Sequence, residues 1–234
     1  MTDDDVRDAI EGGWREIDQI DASLARGEID ETGWHRAVLA IVEPAYLAAD
    51  TPQGQSGHSG DAVRWEQVRR LVLDGVDGDG TFLDVGCANG LLMESAHAWA
   101  AEDGHALEPY GVEISTALAD LARRRCPQWA DRIRTANALG WQPPQRFDYV
   151  RTGLDYVPEA RRPDLVRYLL DHVVAPDGRL LVGVTNEELD RPGLAEALRG
   201  WGFTVAGTAT RPHRHEAVRR TVHWLDGQAR QGRK

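Results

Sequence analysis

The stretch Phe82-Leu83-Asp84-Val85-Gly86-Cys87-Ala88-Asn89-Gly90 decides the fold of this chain. It starts as an apolar strand, and the small residues at 86, 88 and 90 then let the backbone pass close to a ligand at the carboxyl end of that strand. The nicotinamide fingerprint requires a further glycine at position 91, which is Leu91 here. The spacing therefore argues against a nicotinamide site and indicates a ligand loop of another kind.

Apolar strands and helices alternate after this loop. The sequence predicts strands at 81–87, 110–114, 132–138, 147–154, 179–185, 204–210 and 221–225, with helices at 91–101, 116–125, 165–174 and 192–200. The turn Pro176-Asp177-Gly178 precedes the fifth of these strands. Such alternation implies βαβ units, a parallel sheet and helices on both of its faces.

Helical periodicity marks the residues before the loop. One apolar stripe is interrupted by Gly12-Gly13 and consists of Val6, Ile10, Trp14, Ile17, Ile20 and Leu24. A second helix is predicted at 34–49, where Pro44 bends or ends it. Residues 51–60 are rich in glycine and serine and predict a loop, after which Asp61 is placed to cap a helix.

Charge and cysteine content exclude several functional classes. The 234 residues include 27 Lys and Arg against 38 Asp and Glu, which gives a net charge of −11. This balance argues against nucleic-acid binding, since phosphates require a basic face. The acidic start Met1-Thr2-Asp3-Asp4-Asp5 and the short apolar runs predict neither an export signal nor a membrane span. Two cysteines, Cys87 and Cys126, predict no disulfide framework and no metal site, so we expect a cytoplasmic protein.

Four motifs in register resemble those of the class I S-adenosylmethionine-dependent methyltransferases. They are Leu83-Asp84-Val85-Gly86-Cys87-Ala88-Asn89-Gly90, Gly111-Val112-Glu113-Ile114, Ala136-Asn137-Ala138 and Phe147-Asp148-Tyr149-Val150. Their order and spacing match that family from about residue 79 to residue 226. Two mild departures are Ala88, where many members have glycine, and Asn137, where many have aspartate.

The resemblance implies an α/β fold of the seven-stranded Rossmann-like methyltransferase type, with a mostly parallel sheet and an antiparallel last strand. Residues 79–226 would form this cofactor-binding domain. Residues 1–78 exceed what it needs and are expected to form a helical cap or lid over the acceptor pocket, with loop 51–60 as its moving part. Residues 227–234 are expected to be a flexible tail.

The resemblance also implies S-adenosyl-L-methionine as the cofactor. Asp84 and the loop backbone at Gly86, Cys87, Ala88 and Gly90 would hold its methionine part. Glu113, with Ile114 beside it, would bind the ribose hydroxyls. Asn137 and Ala138 would face the adenine, and Thr152, Gly153 and Leu154 would lie beneath the sulfonium.

The acceptor side leaves two kinds of chemistry open. A phenol or alcohol acceptor needs a nearby base, whereas a carboxylate or phosphate acceptor needs an arginine clamp. His58, Asp155, Tyr156 and His213 are the candidate catalytic residues. Asn186 and Glu187 follow strand five, and Arg211, His213 and His215 would share one face if strand six extends that far.

These observations predict a methyltransferase that acts on an O or N atom of a small organic molecule, with specialised metabolism as its hypothesised setting. Two alternatives stay open, namely methylation of a protein or peptide and a non-catalytic scaffold that binds the cofactor. The partners expected are a small-molecule acceptor and neither nucleic acid nor membrane, and a homodimer is left open.

Overall fold

A computed structural model describes residues 15–232 of the chain. It contains seven strands, which are β1 (Gly80–Val85), β2 (Leu107–Glu113), β3 (Ile133–Thr135), β4 (Phe147–Thr152), β5 (Val174–Glu188), β6 (Gly207–Pro212) and β7 (Val218–Asp226). The predicted stripe residues Val6, Ile10 and Trp14, and the Gly12-Gly13 interruption, lie outside the described residues.

The α-helices are α1 (Arg15–Ala25), α2 (Glu31–Leu47), α3 (Ala62–Arg69), α4 (Leu91–Glu102), α5 (Thr116–Arg125), α6 (Arg162–Tyr168), α7 (Leu194–Gly200) and α8 (Gln228–Gln231). Helix α3 continues as a 3-10 helix over Arg70–Gly75, and α6 continues as a π-helix over Leu169–Val173. Two of the predicted helix caps are confirmed. The Asp61 side chain accepts a hydrogen bond from the Arg64 amide, and the Ser115 hydroxyl accepts one from the Leu118 amide.

All seven strands form one sheet in the order β3-β2-β1-β4-β5-β7-β6. Strands β1 to β5 pair with one another in parallel, while β7 is antiparallel to both β5 and β6. The predicted mostly parallel sheet with an antiparallel last strand is therefore confirmed. The strand order reverses at β1, so the crevice at the carboxyl ends of β1 and β4 is the place where ligands bind in open sheets of this kind.

Helices cover both faces of the sheet because the inner strands are apolar on both sides. On one face Leu83, Val150 and Leu180 pack against α6 and α7, and on the other Phe82 and Leu181 pack against α3 and α4. Each fully buried Leu, Val or Phe side chain contributes roughly 1.5–3 kcal/mol, so these two layers hold the strands in place.

Helices α1 and α2 form a separate small core beside the sheet. Ile17 of α1 packs with Trp34, Val38 and Val42 of α2, and Leu118 of α5 joins this cluster. Trp34 is fully buried, and its indole N–H donates to the Asp21 carboxylate over 2.7 Å. The segment before β1 thus has two parts, since α3 belongs to a sheet layer whereas α1 and α2 rest mainly on α5.

The expectation that Pro44 bends or ends its helix is wrong in one respect, because α2 continues through Pro44 to Leu47. Proline removes a single N–H donor, and that loss falls in the last turn of the helix. Tyr46 lies after the proline and is buried against the rest of the molecule. Packing of this last turn therefore outweighs the missing hydrogen bond.

Two predicted boundaries near the end of the chain also change. The Pro176-Asp177-Gly178 turn does not precede β5 but interrupts its pairing with β4, where Val174 lies opposite Phe147 and Arg179 lies opposite Tyr149. Part of the segment predicted as a flexible tail is helical, since α8 covers Gln228–Gln231. Arg230 of that helix pairs with Asp77 over 2.8 Å.

Replacing Trp34 with alanine tests the contribution of the small core. We expect Trp34→Ala to lower the free energy of unfolding by about 3–5 kcal/mol, because it leaves a large cavity and removes the indole donor. Urea denaturation followed by circular dichroism measures this change. The control is Val63→Ala, at a position that is 65% exposed, for which we expect a change within about 0.5 kcal/mol. Equal stability of the two variants would contradict a structural role for the α1–α2 cluster.

Candidate cofactor and acceptor site

A cavity of about 1110 Å³ lies at the carboxyl ends of β1, β2, β4 and β5. Its walls also include α2, the loop 51–60, α3 and the β6–β7 connection. It is large enough for a cofactor and a small second ligand together, since typical ligand sites span roughly 300–1,000 Å³. The switch point of the sheet is thus one wall of a cavity to which helices and loops outside the sheet also contribute.

The loop after β1 turns sharply and exposes its backbone to this cavity. Gly86, Ala88 and Gly90 have φ values of +77°, +45° and +78°, a region that favours glycine. A Cβ atom added at Gly86 would meet no atom within 4 Å, so a cradle open to the cavity lies against this backbone. This space is what the approach of a ligand to the loop requires.

The other small loop residues have different surroundings. A Cβ atom at Gly90 would lie 3.3 Å from Cys126 Sγ and 3.4 Å from Ala122 Cβ, so Gly90 permits close packing of α4 on α5 and does not line the cavity. The Cys87 side chain packs against Gly111 of β2, and the residue is buried. Among the four loop positions predicted to bind the cofactor, Gly86 and Ala88 are therefore the most open to the cavity.

Glu113 at the end of β2 holds the loop in this shape. Its carboxylate oxygens accept the Ala88 amide over 2.8 Å and the Ser115 amide over 2.9 Å. Burial raises the pKa of the Glu113 carboxyl, and the two backbone amides oppose that rise. Each carboxylate oxygen keeps a second lone pair, so Glu113 retains acceptor capacity for a hydroxyl group of a ligand.

Asp84 forms a buried ion pair that the sequence did not reveal. Its carboxylate lies 3.2 Å from the guanidinium of Arg151 on the neighbouring strand β4. Arg151 also donates to the Gly183 carbonyl over 2.9 Å, which fixes its orientation. Burial raises the pKa of Asp84 to about 6, with Arg151 acting in the opposite sense, so Asp84 is mostly ionised at pH 7.

The remaining positions expected to touch the cofactor line the same cavity. Asn137 Nδ2 lies 3.3 Å from His35 Nε2 of α2, and Asn137 Oδ1 accepts the Leu139 amide. Burial lowers the pKa of His35, so this imidazole is neutral at pH 7 and accepts the bond. Further lining residues are Ile114, Ala138, Thr152, Gly153 and Leu154.

All four candidate catalytic residues also line the cavity, namely His58, Asp155, Tyr156 and His213. The hydroxyl of Tyr156 lies 2.6 Å from that of Tyr46 on α2, and burial raises the pKa of both phenols. Burial and nearby arginines lower the pKa of His58 and of His213 to about 4. Both imidazoles are therefore neutral at pH 7 and are weak bases.

Strand β6 does not extend to His213 and His215, so Arg211, His213 and His215 do not share one face. The strand ends at Pro212, after which His213 and Arg214 turn toward the cavity. Arg211 instead pairs with Asp74 over 2.8 Å, and His215 does not line the cavity. Glu187 lines the cavity, but its carboxylate lies 3.5 Å from His223 Nε2 and accepts a hydrogen bond from the Leu194 amide.

The loop 51–60 is tied to the loop after β1 through Asn89, which is fully buried. The Ser56 hydroxyl donates to the Asn89 side-chain oxygen, and the Asn89 amide donates to the Pro52 carbonyl over 2.9 Å. A short 3-10 turn at Gly54–Ser56 orders the middle of this segment. Composition alone predicted an irregular loop here and did not reveal these contacts.

Comparison with solved structures identifies the fold. A 1,6-didemethyltoxoflavin-N1-methyltransferase from Burkholderia thailandensis, crystallised with 1,6-didemethyltoxoflavin and S-adenosylhomocysteine, is 17% identical and aligns over 85% of this chain and 91% of its own with a TM-score of 0.62. Magnesium protoporphyrin IX methyltransferase from Synechocystis PCC 6803 with bound SAM is 18% identical over 88% and 97% of the two chains, with a TM-score of 0.52. The chain has the class I methyltransferase fold. No protein-family model and no curated protein sequence matches it.

A third structure with this methyltransferase fold is a SAM-dependent methyltransferase from Geobacter sulfurreducens in complex with S-adenosyl-L-homocysteine. It is 12% identical and aligns over 80% of this chain and 97% of its own, with a TM-score of 0.52. None of the helices within residues 15–232 combines the length and the apolar character that a membrane crossing requires. In the same residues, His, Cys, Asp and Glu side chains form no group of three or more that could hold a metal ion.

Sequence reasoning missed most of the arginines that line this methyltransferase-fold cavity, among them Arg64, Arg69, Arg151 and Arg220. For Arg151 a signal was present, because it is a charged residue within the otherwise apolar parallel strand β4. The other three lie on α3 and β7, far apart in sequence, and only the fold brings them to one cavity.

The low histidine pKa values make the position of Arg220 testable. Arg220 is the largest charged contributor to the low pKa of His213, after burial. We expect Arg220→Gln to raise the pKa of His213 above about 4, because a nearby positive charge disfavours the imidazolium. A pH titration of the imidazole C–H resonances by NMR measures it.

The matched control is Arg211→Gln. Arg211 lies opposite Arg220 in the β6–β7 pairing, but its side chain is bound to Asp74. This variant should leave the pKa of His213 as it is in the parent protein. An unchanged His213 pKa in Arg220→Gln would show that the Arg220 guanidinium does not face the cavity.

Proposed function

We propose that this protein is a methyltransferase that uses S-adenosyl-L-methionine to methylate an O or N atom of a small organic molecule in the cytoplasm. The observation that carries this proposal is the open cradle at Gly86, on a loop whose neighbouring residue Ala88 is held by the buried Glu113 carboxylate. When bound, S-adenosyl-L-methionine supplies a methyl group already activated on a sulfonium. Positioning of the acceptor then provides most of the acceleration.

Each cofactor contact is assigned to residues at the carboxyl edge of the sheet. The ionised Asp84 and the backbone around Gly86 and Ala88 would hold the methionine part. Glu113 would accept the ribose hydroxyls with its remaining lone pairs, and Asn137 with Ala138 would face the adenine. Thr152, Gly153 and Leu154 would form the floor beneath the sulfonium.

The elements that wall the cavity beside the sheet favour a small acceptor over a protein or peptide. Helix α2 and the loop 51–60 wall the pocket, and Tyr46 bonds Tyr156 across it. The names of two structural neighbours, a didemethyltoxoflavin and a magnesium protoporphyrin methyltransferase, agree with a small-molecule acceptor. A third neighbour is named as a ribosomal protein L11 methylase, so methylation of a protein stays the alternative. We propose no nucleic-acid partner and leave a homodimer as a separate hypothesis.

Calorimetry with S-adenosylhomocysteine tests the cofactor assignment. We expect Glu113→Ala to weaken binding by roughly 1.5–3 kcal/mol for each lost bond to the charged carboxylate. Gly86→Ala should also weaken binding, because its Cβ enters the open cradle and its φ of +77° is strained for alanine. Glu108→Ala, at an exposed position of the same strand β2, is the control and should bind as the parent does.

Thermal melting of each variant separates lost binding from lost folding. Binding of NAD with no response to S-adenosylhomocysteine in the parent protein would overturn the proposed function. Incubation with S-adenosylmethionine and a library of small acceptors then distinguishes an enzyme from a scaffold, since a scaffold releases no S-adenosylhomocysteine.

We further propose that the segment predicted as a cap, residues 1–78, covers this pocket with its described residues 15–60, and that the loop 51–60 is its responsive part. The described part is joined to the body by the Tyr46–Tyr156 bond, by the Glu31–Arg161 ion pair at 2.5 Å and by the Asn89 contacts of the loop. Asn89 belongs to the loop expected to hold the cofactor. Cofactor binding at that loop should therefore change the local stability of residues 51–60.

Hydrogen exchange of the full chain measures this coupling. We expect amides of residues 51–60 to exchange more slowly when S-adenosylhomocysteine saturates the protein, because local opening of the loop then breaks contacts to an occupied site. Amides of Gln228–Gln231 in α8 do not line the cavity and should exchange at an unchanged rate. Unaltered exchange in 51–60 at saturation would show that this loop is only a static wall.

A further inference from the structure

Four arginines and two histidines gather at the end of the cavity formed by α3 and the β6–β7 connection. This basic cluster consists of Arg64, Arg69, Arg214, Arg220, His58 and His213. Among residues 15–232, no carboxylate lies within ion-pair distance of any of the four guanidinium groups. In a chain with 38 acidic and only 27 Lys and Arg residues, such a cluster is opposite in sign to the molecule as a whole.

The members of the cluster lie close to one another. A Cβ atom added at Gly60 would lie 2.6 Å from His58 Nε2 and 2.7 Å from Arg64 Cδ, so these two side chains share one space. Arg69 on α3 stacks over the Trp65 ring at 5.4 Å. From the opposite side, Arg220 NH1 donates to the Pro212 carbonyl over 2.8 Å, a contact that leaves its other N–H groups available.

The positive charges of the cluster act on one another. Burial has the largest effect on the pKa of His58, and Arg69, Arg64 and Arg220 lower it further, while Asp61 acts in the opposite sense. Arg220, Arg214, Arg64 and His215 lower the pKa of His213, and Arg64 with Arg214 lowers that of Arg220. Asp155 and Asp84 partly offset the charge of Arg69. The charges of Arg64, Arg214 and Arg220 repel one another, so this arrangement favours an anionic ligand.

Three other arginines around the cavity are paired with carboxylates. Arg161 pairs with Glu31, Arg191 with Glu188, and Arg151 with Asp84. A carboxylate already balances the charge of each of these three arginines, so none of them requires an anionic ligand. Among residues 15–232, Arg162 is a further lining arginine without an ion pair, and its Nε donates to the Leu154 carbonyl over 3.1 Å. The basic cluster is therefore the place where several unpaired guanidinium groups lie together.

We propose that the acceptor substrate is an oxyanion, a small organic carboxylate or phosphate, that the basic cluster binds through Arg64 and Arg220. This assignment rests on the proposed methyltransferase function and narrows its substrate class. Guanidinium groups bind carboxylate and phosphate through paired hydrogen bonds, which would fix the orientation of the acceptor in the cavity. The buried, unpartnered His58 Nε2 adds a polar atom to the same end.

Calorimetry on the protein saturated with S-adenosylhomocysteine tests the proposal with four probes of similar size. Benzoate and phenyl phosphate carry the anion, whereas benzyl alcohol is neutral and benzylamine is cationic. We expect at least one of the two anions to bind about tenfold or more tightly than the alcohol, and the amine to bind more weakly than the alcohol. A preference for phenyl phosphate over benzoate, or the reverse, identifies which oxyanion the cluster takes.

Two variants and one control locate the binding. Arg220→Gln and Arg64→Gln should each weaken anion binding about tenfold or more. Arg211→Gln should leave it unchanged, because that guanidinium is already held by Asp74. NMR titration of His58 and His213 provides a second readout for weak binding, since a bound anion raises the pKa of each imidazole above about 4.

Each outcome of these measurements bears on either the oxyanion proposal or the proposed function. Equal binding of the four probes, or anion binding that survives both variants, would overturn the oxyanion proposal while S-adenosylhomocysteine binding leaves the proposed function in place. Loss of anion binding once S-adenosylhomocysteine is present would also overturn it, because the cluster would then hold the carboxylate of the cofactor itself. Anion binding by a protein that does not bind S-adenosylhomocysteine would instead refute the proposed function and support an oxyanion site.

Discussion

The buried carboxylate of Glu113 is the interaction on which the site depends. It accepts the Ala88 amide from the loop after β1 and the Ser115 amide from the turn before α5, and it is 6% exposed. A buried carboxylate without such donors would cost several kcal/mol, so the acid and the two amides stabilise one another. Because Val85 pairs with Val112 in register, Glu113 stands beside the point where β1 becomes the loop. One side chain thus connects the shape of the loop to the order of the strands.

The acidic and the basic side chains of the cavity lie at different ends of it, and they differ in whether they are paired. Near β1 and β2, carboxylates predominate, and they are bound by backbone amides or by Arg151. Near β7 and α3, guanidinium groups predominate, with no described carboxylate close enough to pair with them. If the cavity holds two ligands of different charge, this separation of acidic and basic side chains lets each ligand bind favourably at one end of the cavity only.

Part of the wall of the site is formed by elements outside the sheet. Helix α2 reaches the cavity with Trp34 buried behind it and Tyr46 at its end, and the loop 51–60 is attached through Asn89. Gly57 permits this attachment, since its φ is +72° and a Cβ atom there would lie 2.0 Å from the Tyr46 hydroxyl. Helix α2 and the loop 51–60 therefore form this wall and are held by a few specific contacts, whereas the strands form the floor.

Much of the fold was determined by local sequence. The alternation of apolar strands and helices, the caps at Asp61 and Ser115, and the spacing of Gly86, Ala88 and Gly90 depend on neighbouring residues. These local patterns predicted a parallel sheet and the position of the loop, whereas the antiparallel last strand was implied by the family resemblance. Boundaries were less accurate where packing competes with local preference, as at Pro44 in α2 and at the interruption of β5 around Pro176. The sequence also predicted a role for Glu113 but not its bonds to the Ala88 and Ser115 amides.

The charge pairing of the site was decided only by the tertiary structure. Arg151 reaches Asp84 because β4 lies beside β1, although 67 residues separate them in the chain. Arg64 and Arg220 come to one cavity because α3 covers the face of the sheet to which β7 contributes, and no periodicity along the chain encodes that distance. Strand and helix preferences act over a few residues, whereas the field at a site is the sum of charges from every segment that the fold brings near it.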